Sequence, residues 1–273
     1  MKIKNLLQSM DEVPKDKKLI IFDLDGTLTQ SKQAIDDEMA ELLGKLLAVK
    51  PVAVIGGGKY ELFQSQLLDR LKISEELLKN LFLFPTTSTA FYKYDGGQWK
   101  LIYKMELTQE EKKKIFDAFE KVFAELNYHP EDVYRDVVED RGSEITFSGL
   151  GQDAPLDLKN EWKKENSELK LKMVEILQKY LPDMEVRAAG YTSIDITRKG
   201  IDKKYGVRQI EKYLGVSIED ILFVGDALFP GGNDSAALRT GVLCFEVKGP
   251  EETKKIIRLL ISRDLVDDYE FLL

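Results

Sequence analysis

The chain of 273 residues is long enough for one large domain or two modest ones, and its 43% hydrophobic content can fill real cores. With 40 basic and 48 acidic side chains the net charge is −8, the signs are intermingled and no basic block stands out, which excludes nucleic acid as an expected partner. No segment approaches the ~18 apolar residues of a bilayer span and no export signal is visible, so the sequence predicts no membrane partner and a cytoplasmic address.

In chain order, KLIIF (18–22) reads as a buried strand, followed by a helical pattern over 36–47, a strand at PVAVI (51–55), and helices over 59–71 and 74–81. From about residue 86 the character changes. TAFYKYDGGQWKLIYK predicts a hairpin turning at Asp95, Gly96 and Gly97. A helix then opens at Thr108 and Glu111 with capping-box spacing and carries Ile115, Phe116, Phe119, Val122, Phe123 and Leu126 as its apolar stripe. A strand, a helix near 160–180 and two further strands complete this middle part. The pattern then returns to a helix over 202–214 and strands at ILFVG (221–225) and VLCFEV (242–247). Strands alternating with helices predict an α/β fold with a parallel sheet, its ligand site at the carboxyl ends of the strands. An α+β domain is inserted into it. The expected division is a core of residues 1–87 and 198–273 and an inserted domain of 88–197.

The only cysteine, Cys244, and the only histidine, His129, allow neither a disulfide nor a His/Cys metal site. Chemistry must therefore come from carboxylates, lysines, arginines and backbone amides. Asp23 and Asp25, in IIFDLDGTLT, end a strand one residue apart. Carboxylates so close repel unless something positive lies between them, and a divalent cation held by oxygen ligands is the natural occupant. Asp226 and Asp234 in GDALFPGGND follow another strand, and Lys203 opens a helix after Gly200. The turn Gly56, Gly57 and Gly58 offers backbone amides but no hydroxyl to a phosphate.

DLDGTLT resembles the nucleophile motif of the haloacid dehalogenase (HAD) superfamily of phosphotransferases, and the later motifs stand in the same order. The resemblance implies a Rossmann-like HAD core with a cap domain. It implies Asp23 as the nucleophile that becomes an aspartyl-phosphate, Asp25 as the proton donor, and Lys203 as the screening cation. Mg2+ would be bound by Asp23, Asp226 and the Asp25 carbonyl, with Asn233 and Asp234 holding metal-bound waters or fixing their loop. FPGGND, the TSIDIT strand and the GIDKKYG turn are similar to the phosphomannomutase branch, which implies sugar contacts from Ser193 and Asp195 and a homodimer paired through the caps. The aromatic hairpin residues Phe91, Tyr92, Tyr94 and Trp99 suit either such a surface or an inward core.

Two positions depart from that branch. SGLGQ ends in Gln152, and Lys32 follows the DGTLT motif, where the mutases carry arginines. Neither side chain reproduces a guanidinium's bidentate grip on a distal phosphate. Arg135, Arg141 and Arg187 remain as replacements; Arg141 is the best placed of the three, and an ion pair to Glu139 or Asp140 accounts for it at least as well. The expected activity is accordingly a magnesium-dependent phosphatase of sugar phosphates or similar small phosphorylated metabolites. The alternatives are a phosphomannomutase and, from another class, a non-catalytic protein that binds a phosphorylated ligand.

Overall fold

The structure is a computed structural model that describes residues 5–14, 16–131 and 133–267, with side chains through 262. The chain divides into two units, residues 1–104 with 202–273 and residues 105–201.

The first unit is built on an eight-stranded sheet. In chain order its strands are β1 (Leu6–Leu7), β2 (Leu19–Asp23), β3 (Val52–Ile55), β4 (Leu81–Phe84), β5 (Ala90–Asp95) and β6 (Gln98–Lys104). The second unit contributes β7 (Val138–Asp140), β8 (Glu144–Ser148), β9 (Met184–Ala189) and β10 (Ser193–Arg198), after which the chain returns with β11 (Ile221–Gly225) and β12 (Leu243–Glu246). The large sheet runs β1-β12-β11-β2-β3-β4-β5-β6, parallel from β1 to β4 and antiparallel across β4-β5-β6. β2 is buried along its whole length because both faces are covered. Ile20 and Phe22 pack with Met39 and Leu43 of helix Asp37–Val49 and with Ile256 of helix Pro250–Asp267. Leu19 and Ile21 pack on the other side with Val207 and Ile210 of helix Lys203–Leu214. Asp36 caps the first of these helices by accepting from Met39 N at 2.8 Å, and Asp202 caps the last by accepting from Tyr205 N at 3.0 Å. From β2 the chain moves one way to β3, while β11 and β12 lie on its other flank, so the switch in strand order falls at β2.

The second unit carries the antiparallel sheet β7-β8-β10-β9 and the helices Gln109–Glu125 and Leu156–Tyr180. The capping box forms: Thr108 Oγ1 accepts from Glu111 N at 3.2 Å, and Glu111 Oε2 accepts from Thr108 N at 2.6 Å. Phe119, Phe147, Met173, Leu177, Ile194 and Ile196 share this unit's core.

Several boundaries differ from the sequence reading. The hairpin β5–β6 belongs to the first unit, which moves the first boundary from 87 to 104. The cause is β4: LFLF continues the parallel sheet and hands its free edge to β5. Phe91 is buried and stacks on Phe84, and Tyr92 stacks on Tyr60 at 4.2 Å, so these rings serve this unit's interior rather than a cap surface. The helix expected over 74–81 is a single turn, Glu75–Leu78. The helix expected over 59–71 stops at Gln66 and continues as a short 3-10 turn.

Candidate functional site

The carboxyl end of β2 presents Asp23, and the residue after β11 is Asp226. Parallel pairing of Phe22 with Val224 brings these ends together. Sharp turns then let the chain leave the sheet with both carboxylates turned inward. Gly26 sits at φ +86°, and a Cβ there would lie 2.4 Å from Asp226 Oδ2, so no other residue fits. Gly225 has an equivalent reason, because its Cβ would lie 2.4 Å from Asp234 Oδ2. The GGND turn folds back so that Asp234 exchanges hydrogen bonds with Ala227: Asp234 N donates to Ala227 O at 3.1 Å, and Ala227 N donates to Asp234 Oδ2 at 3.2 Å. Thr27 Oγ1 donates to Asp226 Oδ1 at 3.4 Å.

Carboxylate oxygens of Asp23, Asp226 and Asp234 come within 4.8 Å of one another. Asp23 and Asp234 are buried and Asp226 is half-buried. Lys203, in the first turn of its helix and itself buried, bonds Asp23 Oδ1 and lies 3.2 Å from Asp234 Oδ1. Burial pushes the Asp23 carboxyl well above the usual carboxylate range; Lys203 draws it back, and Asp234 and Asp226 push it up again. Burial also pushes Asp226 up, with Asp234 adding to it. Burial works against the Lys203 charge, yet Asp23 and Asp234 outweigh it and hold the ammonium above its ordinary value.

Three acids against one ammonium leave the cluster short of positive charge. Asp234 Oδ1 is buried without a hydrogen bond, its distance to Lys203 being that of an ion pair only. An all-oxygen donor set with excess negative charge, in which Asp234 Oδ1 has only the ion pair to Lys203, fits a hard divalent cation such as Mg2+.

The other expected residues fall into three groups. The Asp25 carboxylate lies outside the acidic cluster, as Oδ1 accepts from Lys32 N at 2.6 Å and from Gln66 Nε2 at 3.4 Å. Lys32 reaches this position through its amide, at φ +59°, while its side chain is exposed. Asn233 is exposed on the turn whose next residue, Asp234, points in.

The glycine turn is only partly free to bind an anion. Gly56 N donates to Phe84 O at 3.3 Å, whereas a Cβ on Gly57 would meet nothing within 4 Å. The turn rests on residues 86–88, three consecutive non-glycine residues at φ +47°, +53° and +66°. Thr86 N and Thr87 N donate to the carbonyls of Gly58 and Gly56 at 2.8 and 2.9 Å, and Thr89 Oγ1 donates to Thr86 O at 2.8 Å. This costly conformation fixes the glycine turn from below.

In the second unit, Arg141, Gln152, Ser193 and Asp195 lie on or beside the polar face of β8 and β10. Period-two alternation aligns Glu144, Thr146 and Ser148 opposite Thr197, Asp195 and Ser193. Arg141 donates to Glu139 at 2.8 Å, to Glu144 at 3.2 Å and to Gln152 Oε1 at 3.0 Å. Thr146 Oγ1 lies 3.0 Å from both Glu144 Oε1 and Asp195 Oδ1. Burial, then Asp195, raise the Glu144 carboxyl to about 8, with Arg141 opposing. Of the other arginines, Arg187 donates to Ile201 O at 2.6 Å and Arg135 pairs with Asp153 at 3.4 Å. Glu144, Thr146 and Gln66 were not among the residues the sequence singled out. The alternation E-T-S in SEITFS was the signal for the first two; nothing linear marks Gln66.

A family model described as eukaryotic phosphomannomutase matches residues 39–263. The phosphomannomutase of Spinacia oleracea is 31% identical over 251 residues, 87% of this chain and 93% of that protein. Phosphomannomutase 1 of Homo sapiens is 28% identical over 224 residues, 81% and 82% of the two chains. Solved structures with the same fold include the IMP-nucleotidase of Plasmodium falciparum (TM-score 0.69, 16% identity, 93% of this chain and 70% of that one). The trehalose-6-phosphate phosphatase of Aspergillus fumigatus also aligns (TM-score 0.54, 14% identity, 90% and 93%). The relatives favour the mutase alternative over the phosphatase expected first from Gln152 and Lys32. Among the described residues no helix is long and apolar enough to cross a membrane. The chain is a HAD-superfamily enzyme and belongs to the phosphomannomutase family.

Proposed function

We propose that this protein is a magnesium-dependent phosphotransferase that acts on sugar phosphates through an aspartyl-phosphate at Asp23, and that it interconverts hexose 1- and 6-phosphates. The observation that carries the proposal is the convergence of Asp23, Asp226 and Asp234 on Lys203 at the carboxyl ends of β2 and β11. The family to which the chain belongs supports the choice of substrate and reaction.

A carboxylate nucleophile divides a hard phosphoryl transfer into two easier ones. Asp23 attacks phosphorus, the bond from phosphorus to the sugar oxygen breaks, and Asp25 gives that oxygen its proton. In the second half the phosphoryl group passes from Asp23 to the free hydroxyl of a hexose monophosphate, whose proton returns to Asp25, and the bisphosphate so formed turns round and gives its other phosphoryl group back to Asp23. Lys203 holds Asp23 in one orientation and offsets part of the charge that gathers beside it. Asp23, Asp226 and Asp234 would hold Mg2+, which would neutralise the phosphoryl oxygens and favour ionised Asp23. Gly57 and Gly58 offer amides to the phosphate, and Ser193 and Asp195 offer polar contacts to sugar hydroxyls.

One observation favours a second reading, hydrolysis. A mutase must hold the distal phosphate of a bisphosphate intermediate, but Arg141 is already engaged by Glu139, Glu144 and Gln152. Water would then be the acceptor.

A phosphorus NMR time course with magnesium, mannose 1-phosphate and a trace of hexose 1,6-bisphosphate separates the readings. Hexose 6-phosphate with little free phosphate supports the mutase, and dominant inorganic phosphate supports the phosphatase. Neither product, across a panel of sugar phosphates, contradicts both and favours a non-catalytic ligand-binding protein.

A further inference from the structure

Gln66 ends helix Tyr60–Gln66 and is only 3% exposed, yet it is a polar side chain surrounded by core. Its Oε1 is buried without a hydrogen bond. Burying an amide with half its capacity unused costs stability, so packing alone gives no reason for glutamine here. Its remaining contacts all lead to one place. Nε2 donates to Asp25 Oδ1 at 3.4 Å, and the Gln66 carbonyl accepts from Ile35 N at 2.8 Å. The loop that carries Asp25 is thereby fastened to the same residue at both ends.

Both described donors to the Asp25 carboxyl, Lys32 N at 2.6 Å and Gln66 Nε2, fall on Oδ1. Among the described residues Oδ2 is left as the oxygen of this carboxyl with no hydrogen-bond partner. From this geometry we infer that Gln66 is a positioning residue for proton transfer: with the Lys32 amide it holds the Asp25 carboxyl by Oδ1 and leaves Oδ2 as the oxygen that exchanges a proton with the substrate. The inference rests on the proposed role of Asp25 as proton donor. Lys32 contributes its backbone, which no side-chain substitution removes, so Gln66 is the half of the device that mutation can test.

The test is single-turnover release of the leaving group from two donors, in the full-length protein with Mg2+. One is the sugar phosphate that the wild type turns over fastest, whose alkoxide needs a proton. The other is acetyl phosphate, whose acetate leaves without one. Gln66→Leu and the unbranched Gln66→Met are compared with Asp25→Ala, folding being checked by circular dichroism. Both Gln66 variants should slow release from the sugar phosphate by about 10- to 100-fold, within the range of general acid catalysis. The acetyl phosphate rate should change by less than about threefold, and KM for the sugar phosphate should stay near the wild-type value. Equal losses on both donors, or a rise in KM alone, would overturn the assignment. If Asp25→Ala discriminates between the donors and neither Gln66 variant does, Gln66 alone has been misassigned. If Asp25→Ala does not discriminate either, the role of Asp25 fails and the assignment falls with it.

Discussion

Lys203 and Asp23, 180 positions apart in sequence, form a buried ion pair in which each side chain is 4% exposed. The same ammonium lies 3.2 Å from Asp234. It is therefore the one side-chain cation that the described residues place against the acidic cluster. Removing one partner of a buried pair leaves the other uncompensated, a loss of about 3–5 kcal/mol. Lys203→Met should destabilise the metal-free protein by about that amount, measured by urea unfolding in chelator. Added Mg2+ should recover part of the stability, since it supplies positive charge to the same acids. Turnover should not recover. A Lys203→Met protein as stable as wild type in chelator would mean that Asp23 is neutral and needs no partner.

The cluster itself predicts a response to metal. A ligand that binds only the native state at a hundredfold excess over its Kd adds about 2.7 kcal/mol. For a chain of this size that is roughly 5–10 °C in Tm. Differential scanning fluorimetry with and without Mg2+ should show it. Asp234→Asn keeps the shape of the turn while removing one buried negative charge. It should raise the Tm of the metal-free protein and shrink the Mg2+ increment. An unchanged increment would take Asp234 out of the metal site.

The second unit makes a prediction about pH. Glu144 has a native value of about 8 against 4.5 for the free side chain, because burial and Asp195 disfavour its charge. The native state thus keeps a proton that the unfolded chain gives up. Protonated Glu144 contributes fully below about pH 4.5, and the contribution is lost as pH rises toward 8. Glu144→Gln carries the neutral form permanently. Its Tm relative to wild type should climb steadily between pH 5 and pH 8, the change spread nearly evenly over that range and levelling off above it. A constant difference across the range would show that Glu144 is ionised in the native protein.

Much of the first unit was legible because its signals are local. Four apolar residues ending in Asp23, or ILFVG ending before Asp226, announce a buried parallel strand and the acid at its end. Strand order then places those ends side by side without further information. The hairpin was placed in the wrong unit because which edge a strand pair joins is decided by the neighbour it finds, here β4. LFLF is too short for its period to separate a strand from a helix end. Gln66 was invisible for a related reason. Its importance comes from the loop folding back onto the end of a helix, and a glutamine in a helical pattern otherwise reads as surface. Arg141 shows the same limit from the other side: the sequence named Glu139 as a possible partner, but Glu144 and Gln152 complete its set only once β8 is built.

The most direct test of the account is chemical trapping of the phosphoenzyme. The protein is incubated with Mg2+ and labelled sugar phosphate, quenched in acid within the first turnover, reduced with borohydride and mapped by peptide mass spectrometry. An acyl phosphate on an aspartate is reduced to homoserine, so the account predicts homoserine at position 23 in wild type and none in Asp23→Asn. Homoserine at another aspartate, or full turnover by Asp23→Asn, would contradict it.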